Sequence, residues 1–377
     1  MDRERLTREV LRRCEAAGFA AAGVASIEPS AFAAEFRAWL DAGKHSTMSF
    51  LEEHAELRVE PARMLEGAKA AIVVADQYAE RGGSDAARAE MDDGEMGVRA
   101  FGRVARYAQG RDYHKVMKKR LHGIADALRE EIPGCEFRTV VDTAPVFERE
   151  LAKRAGLGWI GKHTLLIHPR RGSWLLLGVV FTTLDLVPTG VDAREPDHCG
   201  TCTRCIDACP TQAITPYSVD ASRCVTYLTV ERQEAIPAGL HAGVGEWLYG
   251  CDVCQEVCPH NSARGAGFDA SFGAGKAQPA YAARFAGFDA TGVLAWDDEA
   301  RKASTAGTPM TWAALAMLKR NALVVVTNAV LRETKENGAA RAAWAERLRT
   351  IAGDAREDGV VRETAGQSLA RLGISGA

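Results

Sequence analysis

Eight of the ten cysteines fall between Cys199 and Cys258, and this clustering constrains the chain more than any other feature. Cys199, Cys202, Cys205 and Cys209 follow the spacing C-x2-C-x2-C-x3-C and precede Pro210. Cys251, Cys254 and Cys258 repeat the end of that pattern before Pro259. Leu248 stands where the first cysteine of the second run would fall, and Cys224, between the runs, makes up the number. Such runs hold [4Fe–4S] cubanes, and in two-cluster ferredoxins the last cysteine of each run crosses to the other cluster. One cluster is therefore assigned Cys199, Cys202, Cys205 and Cys258, and the other Cys209, Cys224, Cys251 and Cys254. Four-cysteine zinc sites also use C-x2-C pairs. The triple x2 spacing, the two C-x3-C-P endings and the total of eight favour iron–sulfur. Cys14 and Cys135 lie outside the set and read as ordinary cysteines.

Two clusters make an electron wire, and the 377-residue chain is far longer than a wire needs. That length predicts two or three domains. A hydrophobic content of 47% and a charged content of 26% are those of an ordinary soluble protein. The formal net charge of −3 excludes a uniformly basic surface, though not a local basic patch. The charged opening MDRERLTREVLRRCEAAGF has no apolar signal region and no twin-arginine pattern, and no apolar run is long enough to span a bilayer. A cytoplasmic location is expected, where clustered cysteines bind metal in preference to forming disulfides.

Periodicity divides the chain into three parts. Over residues 1–190 helical and strand patterns alternate: a helix through Leu6, Val10, Leu11 and Cys14, strands near Ala20–Ala25 and Ala70–Ala79, and a helix over Lys115–Glu130. A strand ending at Asp142, a helix over Phe147–Ala155 and the strand SWLLLGVVFTT follow. This alternation predicts an α/β domain. Residues 191–262 form the ferredoxin-like two-cluster segment. Residues 263–377 read as a linker followed by three short helices of the HEAT-repeat type. Residues 301–377 carry 12 Lys and Arg against 7 Asp and Glu, so the chain ends in a mildly basic module. RGGSDAARAEMDDGEMG, within the Arg81–Val98 stretch, reads as a polar loop.

The densest stretch outside the cysteines is VDTAPVFERELAKRAGLGWIGKHTLLIHPRRGSWLLLG. Asp142 ends a valine-rich strand, where α/β folds form ligand sites; by spacing alone it could equally cap the following helix. The glycines of GLGWIGK suit close approach of backbone to a bulky flat ligand. No dinucleotide fingerprint or phosphate loop is present. DYHKVM (Asp112–Met117) invites comparison with the D-x-H-x-x-G motif, whose histidine ligates cobalt in some cobalamin enzymes, but Met117 replaces the glycine and a cobalt-ligating role for His114 is rejected.

Taken together and in order, the YAQGRDYH segment (Tyr107–His114), VDTAPVFER, AGLGWIGKHT, RGSWLLLG, CGTCTRCIDACPTQAI, GCDVCQEVCP and the helical tail resemble the epoxyqueuosine reductases over nearly the whole chain. Two departures stand out: CPHN (Cys258–Asn261) where the family commonly reads CPWN, which alters packing near a cluster but no ligand, and Arg81–Val98, which lacks a counterpart. The resemblance implies a fold related to the cobalamin-binding core of reductive dehalogenases, holding base-off cobalamin without a protein histidine ligand. It implies that cubane clusters reduce the cobalt and that an epoxide on the wobble base of tRNA is converted to the cyclopentene of queuosine. It carries over Asp142 as proton donor, which would need a pKa raised by burial beside the corrin. It also carries over His163, Leu166 and Leu177, with Arg58 and Thr226, as cobalamin contacts. Lys319, Arg320, Arg341, Arg347 and Arg349 on the tail helices are candidate tRNA contacts. An external low-potential electron donor and a monomeric chain complete the expectation. Two other readings use the same residues: a small-molecule reductase related to the dehalogenases, and a two-cluster electron carrier. The basic tail speaks against the first and the Asp142–Gly178 region against the second.

Overall fold

The computed structural model describes residues 2–80, 98, 100–190, 197–262, 277–333 and 338–374. The polar Arg81–Val98 loop, apart from Val98, and most of the linker after the cysteines lie outside the described residues.

Helix α1 (Arg3–Ala16) turns Leu6, Val10 and Cys14 inward at helical spacing and leads into β1 (Ala21–Ala25). Strand β2 (Ala70–Gln77) is buried along its whole length, which its run of Ala, Ile and Val requires. β3 (Phe101–Val104) follows, and then α2 (Tyr113–Glu131), capped by Asp112, whose carboxylate accepts from the His114 amide. β4 (Phe137–Val140), α3 (Glu148–Arg154), the hairpin of β5 (Trp159–Ile160) and β6 (Leu166–Ile167), and β7 (Leu175–Thr182) complete this part.

The main sheet has the order β1-β2-β7-β4. Ala70, Ile72 and Val74 of β2 face a core shared with α1 and α2, while Ala71, Val73 and Ala75 face a second core with Leu151 and Ala152 of α3. That period-two division makes three layers, helices on both faces of one sheet. The alternation of elements predicts an α/β domain, and the layering agrees. The pairings differ: all three are antiparallel. The sheet therefore has no common C-terminal edge to gather a ligand site, and Asp142 owes its position to its own loop.

A second sheet joins distant parts of the chain. β8 (Trp247–Tyr249), from the cysteine-rich part, pairs parallel with β3, and β9 (Gly287–Asp289) pairs antiparallel on its other side. These strands share a core with α4 (Leu315–Glu333), α5 (Gly338–Gly353) and α6 (Gly359–Arg371), the three tail helices. No helix among the described residues is long and apolar enough to cross a membrane.

One expected tRNA contact is corrected here. Arg320 is fully buried. Its guanidinium donates to the carbonyls of Arg232 (2.6 Å), Glu234 (2.7 Å) and Leu228 (2.7 Å), and to the Asn321 side chain. Asn321 Nδ2 donates in turn to Thr229 and Leu248 carbonyls. The pair pins α4 to the segment around the cluster cysteines, and a phosphate cannot reach it. Charge counting could not separate such a pin from a surface cation, because both are arginines on a helix.

Arg320→Ala leaves the buried Leu228 carbonyl and the partly buried Arg232 and Glu234 carbonyls without this donor, and chemical denaturation should show a loss of about 2 kcal/mol or more. The exposed Arg349→Ala should stay within about 0.5 kcal/mol of the parent. Equal stability of the two variants would contradict the pin.

Candidate functional site

Asp142 follows β4 with φ +57°, a conformation that costs a non-glycine residue energy and clusters at functional sites. It is no helix cap, since the α3 cap position is Phe147. Its Oδ2 accepts a 2.7 Å hydrogen bond from the Tyr113 hydroxyl and lies 3.3 Å from His114 Nε2. His114 Nδ1 sits 2.9 Å from Asp112 Oδ1. Thus the start of α2 presents Tyr113 and His114 together to one carboxylate oxygen, with the helix cap Asp112 behind the imidazole. No hydrogen bond engages Oδ1 among the described residues.

The Asp142 side chain is 63% exposed, yet it opens into a cavity and is flanked by protein. That surrounding pushes its pKa up, but the hydrogen bonds from His114 and Tyr113 and the nearby positive charge outweigh it, and the net shift is downward. The expectation of a raised Asp142 pKa is therefore corrected: in this constellation the carboxylate is held ionised. His114 moves the other way. Burial disfavours its charged form, but the Asp142 and Asp112 carboxylates more than compensate, and its pKa is raised. Glu148, in the same cavity, has its pKa raised to about 8 by burial and by the negative charge of Asp142, against Arg149 and Arg58. Asp142, favoured as the carboxylate, and Glu148, favoured as the neutral acid, thus line one space, and His114 reaches it through Asp142.

That space is a cavity of about 170 Å³. Leu165, Leu166, Leu175, Leu176 and Leu177 form its apolar side, and Tyr113, Asp142, Glu148 and Arg149 its polar one. Ser173 and Gln255 close it toward the cysteines, linked by a 3.0 Å hydrogen bond, and Gln255 donates to the Tyr78 hydroxyl.

Of the expected contacts, Leu166, Leu177 and Asp142 line the cavity. His163 is buried; its Nδ1 accepts from the Leu165 amide, and its buried Nε2 has no partner among the described residues. Arg58 sits within the field of Glu148 and Asp142, and its buried Nε is likewise unpartnered among the described residues. Thr226 stands apart, against the sulfur of Cys224. The glycines of GLGWIGK serve the protein itself: at Gly158, φ +148°, a side chain would collide with the Ile167 carbonyl of the facing strand. His260, the departure from CPWN, packs edge-on against Trp159 at 4.9 Å between ring centres.

Several cysteines come together in the folded chain. Cys258 stands within the electrostatic reach of Cys199, Cys202 and Cys205, across some fifty residues of chain, and Cys251 within that of Cys224 and Cys209. Cys254 feels Cys251, Cys224 and also Cys205, of the other run. Among the described residues no three His, Cys, Asp or Glu side chains form a group for a single metal ion.

Of the candidate tRNA contacts besides Arg320, Lys319 is paired with Glu357 at 2.8 Å and Arg349 with Glu346 at 3.0 Å. Arg341 donates to the Leu372 carbonyl and Arg347 to the Thr291 carbonyl. Tyr113, His114 and Glu148 are the residues sequence reasoning missed. DYH and VFER were visible as motifs, but nothing in their spacing showed that helix α2 and the loop after β4 meet.

Residues 198–261 match the model of the 4Fe-4S double cluster binding domain, and residues 58–143 match "Epoxyqueuosine reductase QueG, DUF1730". An epoxyqueuosine reductase of Alicycliphilus denitrificans is 36% identical over 348 residues, covering 90% of this chain and 92% of the relative. The chain belongs to the epoxyqueuosine reductase family. A second member, from Xanthomonas campestris pv. campestris, is 44% identical over 246 residues, 65% of this chain and 67% of its own. Among solved structures, that of an epoxyqueuosine reductase with an epoxyqueuosine-modified stem loop of tRNA-Tyr aligns with TM-score 0.79 at 25% identity, over 98% of this chain and 90% of that one.

If Cys224 completes the second ligand set, as an epoxyqueuosine reductase with two cubanes requires, Cys224→Ala should lower bound iron from about eight toward about four per chain. Anaerobic reconstitution followed by iron and sulfide determination measures this. Full iron content in the variant would remove Cys224 from the set.

Proposed function

We propose that this chain reduces the epoxide of epoxyqueuosine in tRNA to the cyclopentene of queuosine, consuming two electrons and two protons and releasing water. The observation that carries this reading is the Tyr113–His114–Asp142 constellation on a leucine-floored cavity beside the double cluster domain, in a member of this family. The working unit is three parts, 1–190, 191–262 and a HEAT-like tail over 263–377, in one cytoplasmic monomer fed by an external low-potential donor.

The residues fit cobalamin. A row of leucines would suit the apolar face of a corrin, and the Nε2 of His163 and Nε of Arg58, unpartnered among the described residues, would suit its polar edge groups. Leu166 and Leu177, with His163 and Arg58, would hold it, while Thr226 belongs to the surroundings of the Cys224 cluster. Cobalamin, when bound and reduced through the clusters, supplies low-valent cobalt as the source of the electrons.

The chain's own residues manage the protons. An epoxide oxygen leaves poorly as an alkoxide, so an acid beside it accelerates opening by roughly 10²- to 10⁴-fold. Asp142 touches the leaving oxygen through Oδ1, and Tyr113 and His114 hold Oδ2. Because Asp142 itself is held ionised, its proton comes from His114 across the Oδ2 contact, and a half-turn of the carboxyl group presents that proton to the leaving oxygen; the Asp142 and Asp112 carboxylates favour the protonated imidazole that supplies it. Glu148, neutral at pH 7, holds the second proton needed to release water. Two titratable groups pushed in opposite directions within one site mark such a division of roles.

Anaerobic incubation of the cluster-loaded protein with cobalamin, a chemical reductant and epoxyqueuosine-containing tRNA, followed by nucleoside mass spectrometry, should show cobalamin-dependent loss of one oxygen. No conversion with clusters intact and cobalamin bound would overturn the reading. Asp142→Asn should keep cobalamin and clusters and lose about 100-fold or more in turnover; full activity would remove the assignment. His114 and Glu148 both have raised pKa values and both act protonated. The rate should therefore fall as pH rises, with a limb near 8 from Glu148 and a further loss, above the ordinary imidazole range, from His114. Glu148→Gln should be slower and lack the limb near 8.

A further inference from the structure

Trp312 is 70% exposed, the most open of the large hydrophobic side chains among the described residues. Its position is not that of a frayed end. It closes the turn Pro309–Trp312, which Thr308 caps by accepting from the Met310 amide, and it lies between Met310 and Ala313, both buried in the tail-helix core. The turn packs against the Arg106–Ala108 turn that leads into the start of α2. A rigid base thus holds an indole out into solvent, where it contributes almost nothing to folding.

What stands next to it is the reaction site. The Trp312 ring lies 6.2 Å from the His114 ring, which is stacked on Tyr113 at 4.0 Å and reaches Asp142 through Nε2. On the same turn of α2, the Lys115 side chain is 81% exposed. Lys115 stands 3.9 Å from Asp112, on the same helix start as His114. An open aromatic face beside His114, on the rim of a site whose substrate is a modified base, matches the way single-stranded RNA is held. Loop bases are splayed from their stack and laid on aromatic rings, with basic side chains on the backbone.

We propose that Trp312 is a stacking platform for an unpaired nucleobase of the substrate RNA loop, and so a residue of substrate binding contributed by the tail to the cavity of the first part. The assignment rests on the reading that the substrate is tRNA. It differs from contacts by the tail cations, because stacking needs no phosphate and persists at salt concentrations that screen charge.

The test uses the cluster-loaded full chain and an anticodon stem-loop RNA carrying epoxyqueuosine. Affinity is measured without reductant by fluorescence anisotropy of the labelled RNA, and turnover by mass spectrometry. Trp312→Ala should weaken binding and raise KM roughly 5- to 100-fold, with a smaller effect on kcat, and Trp312→Phe should recover most of the affinity. Iron content and melting temperature of both variants should match the parent, since the side chain is outside the core. Affinity of Trp312→Ala within twofold of the parent, with the parent active, would overturn the assignment and leave the reaction standing. So would unchanged RNA affinity with slowed reduction of the clusters, which would make this face a docking site for the electron donor. A parent that neither binds nor converts the RNA would overturn both.

Discussion

The placing of Cys258 beside Cys199, Cys202 and Cys205 is the constraint from which the arrangement of this molecule follows. That contact closes a loop of some fifty residues, and everything between must fold back on itself. Cys224 meets Cys251 on the way, and β8 is delivered next to β3, so the cysteine-rich part is sewn into a sheet begun by the first part and finished by β9 of the third. Arg320 and Asn321 then fasten α4 to the same segment through its backbone carbonyls. Sequence order suggests three beads on a string; the hydrogen bonds and the sulfur positions make them interdependent.

Within that frame the chemistry depends on charge. A carboxyl group is a useful acid at neutral pH in one of two ways: its own pKa is raised, or it is recharged by a neighbour. Glu148 is the first case, with burial and the charge of Asp142 acting together. Asp142 is the second, because two hydrogen bonds to Oδ2 stabilise its anion. Lowering one carboxyl keeps the other neutral, since the negative charge of Asp142 is among the causes of the raised Glu148 pKa. The strained φ of Asp142 fits this economy: the loop gives up a relaxed conformation to bring one oxygen to Tyr113 and His114.

Much of this was readable in the residues, and the unread part has a common cause. Local signals succeeded. The helix of Leu6, Val10 and Cys14, the buried strand at Ala70, the helix over Lys115–Glu130 and the three tail helices all follow from spacing and side-chain chemistry that act over a few residues. The cysteine spacing reaches further, to a double cluster domain over residues 198–261, because metal chemistry permits few arrangements of eight thiolates. Tertiary context decided the rest. Strand direction in the main sheet, the burial of Arg320, the use of Gly158 by its own hairpin and the meeting of His114 with Asp142 are long-range events that no periodicity encodes. His114 is the instructive case: the residue was noticed and its role as a metal ligand rejected, but its partner lies 28 positions away on another element.

The same long-range folding explains why the cavity sits where it does. On one side Ser173 and Gln255 separate it from the cysteines, Gln255 lying between Cys254 and Cys258 in sequence. On the other stand the titratable groups Tyr113, Asp142 and Glu148. A strong reductant placed directly against an imidazolium or a carboxylic acid would waste electrons on protons. The leucines give the cavity an apolar side set apart from these titratable groups. The exposed indole of Trp312 stands 6.2 Å from the His114 ring, on the side of Tyr113 and Asp142.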